Sequence, residues 1–184
     1  MSREDYTFAF QVLFNGLENT IFGFQTRDYI FDWALNEFEQ KPVKIFQIGA
    51  IETFRTEWRM GSGWSDIIFG KYIKQYGGKL TIADINLDHL CLSLAASNCF
   101  KYNIDIVYGD AIESIDNEDY DIYYLDGSND PQETLDQFNK IKDKNCIVLV
   151  DDFSIKGTLL DTDKYNFKIH NVANVVATLD LRNK

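Results

Sequence analysis

Short apolar, β-branched or aromatic runs recur from Val43 onward: VKIFQI at Val43–Ile48, KLTIA at Lys79–Ala83, IDIVY at Ile104–Tyr108, DIYYL at Asp121–Leu125 and CIVLV at Cys146–Val150. Each is too short for an ordinary helix and rich in side chains that suit a buried, pleated surface. The intervening segments Trp64–Tyr76, Leu87–Phe100 and Pro131–Ile141 carry helical spacing. Strands alternating with helices predict right-handed βαβ units and a parallel sheet covered on both faces. The rhythm then changes. Tyr165–His170 and Val172–Leu179 are β-rich runs separated by Asn171 or an Asn-containing turn, which predicts a closing antiparallel hairpin on the sheet edge. Before Val43, the stretch from Thr26 places Tyr29, Trp33, Leu35 or Asn36, and Phe38 at helical intervals, with Thr26 as cap and Pro42 as stop. Tyr6–Phe24 reads as another helix, broken near Asn15-Gly16; both helices read as packing elements. The expected fold class is therefore α/β, a mainly parallel seven-stranded sheet with helices on both faces. It is expected to be a single domain over residues 1–184, comprising a helical segment 1–42, a core 43–152 and a hairpin region 153–184.

Polar residues fall at one repeated place in this pattern. The five runs are followed in turn by Gly49, Asp84, Gly109-Asp110, Asp126-Gly127 and Asp151-Asp152. In a parallel sheet these positions share one rim, the carboxyl ends of the strands, where ligands of open α/β sheets bind. A carboxylate directly after a buried strand is costly unless it meets water, a cation or hydrogen-bond donors. After the first run, Gly49 permits a sharp turn, and Gly61-Ser62-Gly63 permits close approach to a ligand before a helix opens near Ser65. Neither GxxxxGK[ST] nor a full GxGxxG is present, which argues against nucleotide hydrolysis and makes the dinucleotide fingerprint only a partial match. Asp84 follows the glycines by about 20 residues, the place where nucleotide-type folds offer an acid to the ribose hydroxyls. Asp110 would lie beside the base and equally suits an N-cap for the segment AIESI.

Charge narrows the partners. Over 184 residues, 18 Lys+Arg against 29 Asp+Glu give a net charge of −11, unlike the basic surface of a nucleic-acid binder. The 45% hydrophobic content supports a substantial core. No apolar run is long enough to span a bilayer, and the start MSREDY lacks the features of a signal peptide. The three cysteines, Cys91, Cys99 and Cys146, have no CxxC spacing and read as reduced core thiols. A cytoplasmic protein is expected, with a small molecule as partner, no nucleic acid, no membrane, and room for a homo-oligomer.

With FQIGA and GSGWSD, TIADIN, YGDA, DIYYLDGS and CIVLVDDF in view, the sequence resembles the class I S-adenosylmethionine-dependent methyltransferases over roughly Val43 to Asp152. The pair LDGS and VDDF is most similar to the metal-dependent small-molecule and sugar O-methyltransferases and their cephalosporin-hydroxylase-like relatives. The resemblance implies a Rossmann-like fold and S-adenosylmethionine as cofactor. It assigns Gly49, Ala50 and Gly63 to the methionine moiety, with Ser65 at the helix opening among the cofactor contacts, Asp84 to the ribose, and Ile85, Asp110 and Ala111 to the adenine. It also implies a divalent ion, Mg²⁺, on Asp126, Asp151 and Asp152, with Asp126 catalytic. Hard oxygen ligands without His or Cys are consistent with Mg²⁺ or Ca²⁺. The sequence departs from the family at Gln47, where an acid is common, at Asn129, where a His often stands, and in the longer loop between Gly49 and Gly61.

Blander roles stand beside these. Asp126 as a turn acid and Asp152 as the cap of a short helix through Leu160 need no metal, and Asp151 could bond the substrate directly. His89 reads as a surface residue and His170 as a strand-end residue. Arg55, Arg59, Trp58 and Trp64 suit either ligand contact or loop packing. The expected function is O-methylation of a small metabolite or sugar, magnesium-assisted in one form. The alternatives are a nicotinamide-dependent oxidoreductase and a non-catalytic cofactor-binding protein.

Overall fold

The computed structural model describes residues 28–52, 65–170 and 176–182. The elements run α1 (Asp28–Asn36), β1 (Val43–Ile48), α2 (Ser65–Tyr76), β2 (Gly78–Asp84), α3 (Leu87–Phe100), β3 (Asp105–Tyr108), α4 (Ala111–Ser114), β4 (Ile122–Leu125), α5 (Pro131–Ile141), β5 (Ile147–Val150), α6 (Phe153–Lys156), α7 (Thr162–Tyr165), β6 (Lys168–His170) and β7 (Val176–Asp180). They form one seven-stranded sheet in the order β3-β2-β1-β4-β5-β7-β6. The first five strands are mutually parallel; β7 runs antiparallel to β5, and β6 antiparallel to β7.

The two-residue period of the strands divides the core into two faces. Ile45, Ile122, Tyr124, Ile147 and Leu149 join α1, α2 and α3 on one side. Their neighbours Phe46, Tyr123, Leu125, Val148 and Val150 join α4, α5 and α6 on the other. Both faces being covered explains why β4 and β5 read as continuous apolar runs. Helix starts follow local chemistry: the side chains of Asn86, Asp110 and Asp130 accept the N–H groups of Asp88, Ile112 and Gln132, and Pro131 occupies the first turn of α5.

Several expectations need correction. In α1 the buried positions are Ile30, Phe31, Ala34 and Leu35, while Trp33 and Phe38 are only partly covered. That helix ends at Asn36, well before Pro42, and the chain leaves it through left-handed conformations at Glu39 and Gln40. The run from Tyr165 is not continuous strand. Asp161 accepts the N–H of Lys164 and starts the helical turn α7, so pairing begins only at Lys168. Cys146 is buried, but Cys91 and Cys99 are exposed on α3. The Tyr6–Phe24 helix, the Thr26 cap and the turn of the terminal hairpin lie outside the described residues.

Candidate functional site

The parallel strands β1, β2 and β4 deliver Gly49, Asp84 and Asp126 to one rim, and the ladder continues past their ends. Gly49 donates its N–H to the Ala83 carbonyl, Gly109 to Asp84, Asp126 to Ile48 and Asp151 to Leu125. Above this rim lies a cavity of about 550 Å³, within the usual size of small-molecule sites. Its walls include Gly49, Ala50, Asp84, Ile85, Asp110 and Ala111 on one side and Asp126, Asp152 and Lys156 on the other.

Gly49 is required by its surroundings. Its φ is +92°, and a Cβ there would stand 2.2 Å from the Asp126 carbonyl oxygen, closer than atoms can approach. The turn it makes presents the next N–H, that of Ala50, to Asp84 Oδ2 at 2.9 Å. Asp84 Oδ1 accepts the N–H of Asn86 at 2.7 Å. Two backbone donors from two elements thus fix the carboxylate, whose acceptor capacity exceeds what they use. His89, on the first turn of α3, is partly exposed, as a surface residue would be, but stands with Nδ1 3.3 Å from Asp84 Oδ2 and lines the cavity. Ile85 is 75% exposed beside the cavity, an uncommon setting for a large apolar side chain. Asp110 caps α4, as one of its two readings had it, and lines the same wall of the cavity. Gly109 has φ +133°, and a Cβ there would meet nothing within 4 Å, so its backbone opens onto free space.

Gln47, one of the positions where the sequence departs from the pattern it resembles, is fully buried below the rim; its Nε2 donates to the Gly49 carbonyl at 2.7 Å and braces the turn. Ser65 is buried at the start of α2 and does not line the cavity. Gly63, with Arg55, Arg59, Trp58 and Trp64, lies outside the described residues.

Asp126, Asp151 and Asp152 do converge, with oxygens within 4.8 Å of one another. The Tyr124 hydroxyl bridges Asp126 Oδ2 at 3.2 Å and Asp151 Oδ2 at 3.0 Å. Asp152 does not cap α6: its backbone is left-handed at φ +46° and its side chain makes no capping bond. α6 is a single turn ending at Lys156 and does not reach Leu160. Lys156 was not singled out from the sequence, yet it decides the electrostatics. Its Nζ donates to Asp126 Oδ1 at 2.7 Å and lies 3.7 Å from Asp152 Oδ2. Burial opposes the charge on this lysine, but the carboxylates of Asp126, Asp151 and Asp152 outweigh it and hold its pKa above the ordinary value. The available signal was a Lys four residues after the second Asp of VDDFSIK, a spacing that puts both on one side of a helical turn.

His170 is remote from the cavity. It is buried, with Nε2 3.0 Å from Thr178 Oγ1, and burial lowers its pKa, so the strand-end reading describes it.

No family model and no curated protein matches the chain in sequence. The fold is shared with several solved proteins. The O-methyltransferase from Bacillus cereus in complex with S-adenosylhomocysteine (SAH) is 12% identical, with a TM-score of 0.57, covering 98% of this chain and 92% of that one. The SAH-bound methyltransferase PaMTH1 of Podospora anserina is 15% identical at a TM-score of 0.57, covering 80% and 76%. An RNA methyltransferase from Salinibacter ruber in complex with SAH is 13% identical at 0.57, covering 87% and 95%. A mutant of MtNAS is 13% identical at 0.52; there the chain spans 62% of the length of its relative. At such identities the likeness is one of fold, the Rossmann-like methyltransferase fold.

Proposed function

We propose that the chain transfers a methyl group from S-adenosylmethionine to an oxygen of a small metabolite or sugar. The observation that carries this reading is the Asp84 carboxylate. It closes β2 at the cavity wall, is held by the N–H groups of Ala50 and Asn86, and retains acceptor capacity for two adjacent ribose hydroxyls. The rest of the wall fits the same ligand. Gly49 and Ala50 supply a close-lying backbone for its amino-acid end, the exposed Ile85 supplies an apolar surface for a base, and Asp110 and Ala111 border the same region.

The cofactor supplies an electrophilic methyl on a sulfonium. With that cofactor held on the Asp84 side, an acceptor hydroxyl would be held on the Asp126 side, where its proton could pass to solvent or to a carboxylate of the rim. The protein's part is to hold the two reactants in line and exclude competing water. Asp126, Asp152 and Lys156 line the cavity opposite the Asp84 wall, so the acceptor would meet them. Asp126, expected to be catalytic, has one oxygen bonded to Lys156 and the other near Tyr124, which suits a positioning residue better than a base. The magnesium-assisted form rests on the convergence of Asp126, Asp151 and Asp152, whose donor chemistry suits a hard ion. The ammonium of Lys156 among the same oxygens speaks against it.

The acid excess favours a small acceptor over RNA, although one fold neighbour is an RNA methyltransferase. A nicotinamide reading is disfavoured because the sheet ends in the antiparallel pair β7-β6, not in a further parallel strand. Calorimetric titration with S-adenosylmethionine, SAH and NAD decides between them. The sulfonium cofactor and its product are expected to bind and NAD is not; tight NAD binding with no heat from either sulfur ligand would overturn the proposal. Turnover with radiolabelled methyl donor over a panel of hydroxylated metabolites then separates catalysis from binding alone.

A further inference from the structure

We infer that Lys156 is the resident cation of the acidic rim: its ammonium takes the place among Asp126, Asp151 and Asp152 that a divalent metal would need, so the protein does not recruit one there. The inference is independent of what the cavity binds and follows from how the chain delivers this side chain. β4 and β5 are adjacent and parallel, which brings Asp126 beside Asp151 and Asp152 at their ends. Three like charges at this spacing demand a counter-cation. Asp152 adopts a left-handed conformation that turns the chain directly into α6. One helical turn later the N–H of Lys156 donates to the Asp152 carbonyl, which fixes its Cα over the same acids.

That turn is held from behind. Phe153 packs with Phe167, which anchors the start of the turn, and Gly157 closes the turn against the Phe153 ring, where a Cβ would stand 2.4 Å away. With its stem enclosed, Lys156 is 2% exposed, and its ammonium reaches Asp126 Oδ1 at 2.7 Å. A lysine is rarely buried this deeply without partners, and here the partners are the acids that would ligate a metal. Mg²⁺ demands near-octahedral oxygen ligation and is repelled by a neighbouring ammonium. To enter, it would have to displace Lys156 from Asp126 and leave that charge buried or force α6 to move. The motif read from sequence as a metal-binding triad is thus a tetrad containing its own cation.

The test uses the full chain and Mn²⁺, Mg²⁺ and Ca²⁺ as probes. Paramagnetic resonance of free Mn²⁺ is expected to be unchanged by addition of the wild-type protein at millimolar ion, and neither Mg²⁺ nor Ca²⁺ should shift its melting temperature. Lys156→Met removes the charge but keeps the length. That variant is expected to bind Mn²⁺, and its melting temperature should rise by on the order of 5 °C with saturating Mg²⁺ or Ca²⁺. Lys156→Arg keeps a cation and should remain indifferent to all three ions. Stoichiometric Mn²⁺ uptake by wild type that is lost in Asp126→Asn would overturn the inference, and so would a folded Lys156→Met that ignores the ions. If Lys156→Met does not fold, the wild-type Mn²⁺ experiment still decides.

Discussion

Asp66 shows how burial alone can make a carboxylate a liability. It sits on α2, fully buried, beside Ser93, whose oxygen accepts the N–H of Ile51, and near Tyr102. Burial pushes its carboxyl up to about 7, with Ser93 and a backbone donor offsetting only part of the effect. The consequence for stability has a definite sign. The unfolded chain loses this proton near the ordinary aspartate value, whereas the folded chain keeps it until about 7, so Asp66 destabilises progressively as pH rises between those values and levels off above. Asp66→Asn should therefore gain on wild type through that interval, with a ceiling of roughly 4 kcal/mol. Urea melts of both proteins from pH 4 to 8 check it; parallel curves would contradict it. Gly49 gives a second prediction. Gly49→Ala forces a Cβ against the Asp126 carbonyl at positive φ and should destabilise by about 2 kcal/mol or more while weakening ligand binding at the rim.

These individual residues were unevenly legible. Gly49, Asp84 and Asp110 could be read because strand ends put them on the rim whatever their side chains do. His89 and Asp66 could not, and Lys156 only in part: its spacing to Asp152 was visible, but its main partner, Asp126, lies 30 positions earlier and comes from another strand end. A lysine or an acid looks solvated until the fold says what stands opposite.

Among the elements, the five parallel strands were recognised within a residue or two: β4 and β5 because they are buried on both faces and read as unbroken apolar runs, β1 and β2 from mostly buried runs, and the largely exposed edge strand β3 from its β-branched and aromatic composition alone. The terminal hairpin was recognised in kind but not in extent. Tyr165 and Phe167 have strand-like composition, yet they pack on Phe138 from a helical turn and its exit. Tertiary contact overrode propensity there. Capping offers a check on which acids serve the fold and which the site. Asp130 caps α5 and lies outside the cavity lining, whereas Asp110 caps α4 and lines it. Asp130→Ala should cost about 1 kcal/mol of stability and leave cofactor affinity unchanged, while Asp110→Ala should lower both. Thermal melts paired with calorimetry separate the two; unchanged affinity in Asp110→Ala, or a loss in Asp130→Ala as large as that in Asp110→Ala, would contradict this division.

For the molecule as a whole, the sheet order determines what the rim can be. Central β1 between β2 and β4 opens the crevice at its end, and the antiparallel β7-β6 pair completes the sheet away from it. A net charge of −11 was readable at once, but not its division into surface acids and an enclosed tetrad with its own ammonium. Among the described residues no helix is long and apolar enough to cross a membrane.

The central claim is that the Asp84 wall binds the ribose of S-adenosylmethionine. Its most direct test is calorimetric affinity for SAH in wild type and Asp84→Ala, with folding verified by circular dichroism. Losing two charge-assisted hydrogen bonds should weaken binding by at least about tenfold, roughly 1.4 kcal/mol. Equal affinity in the two proteins, or no binding by wild type, would contradict the account.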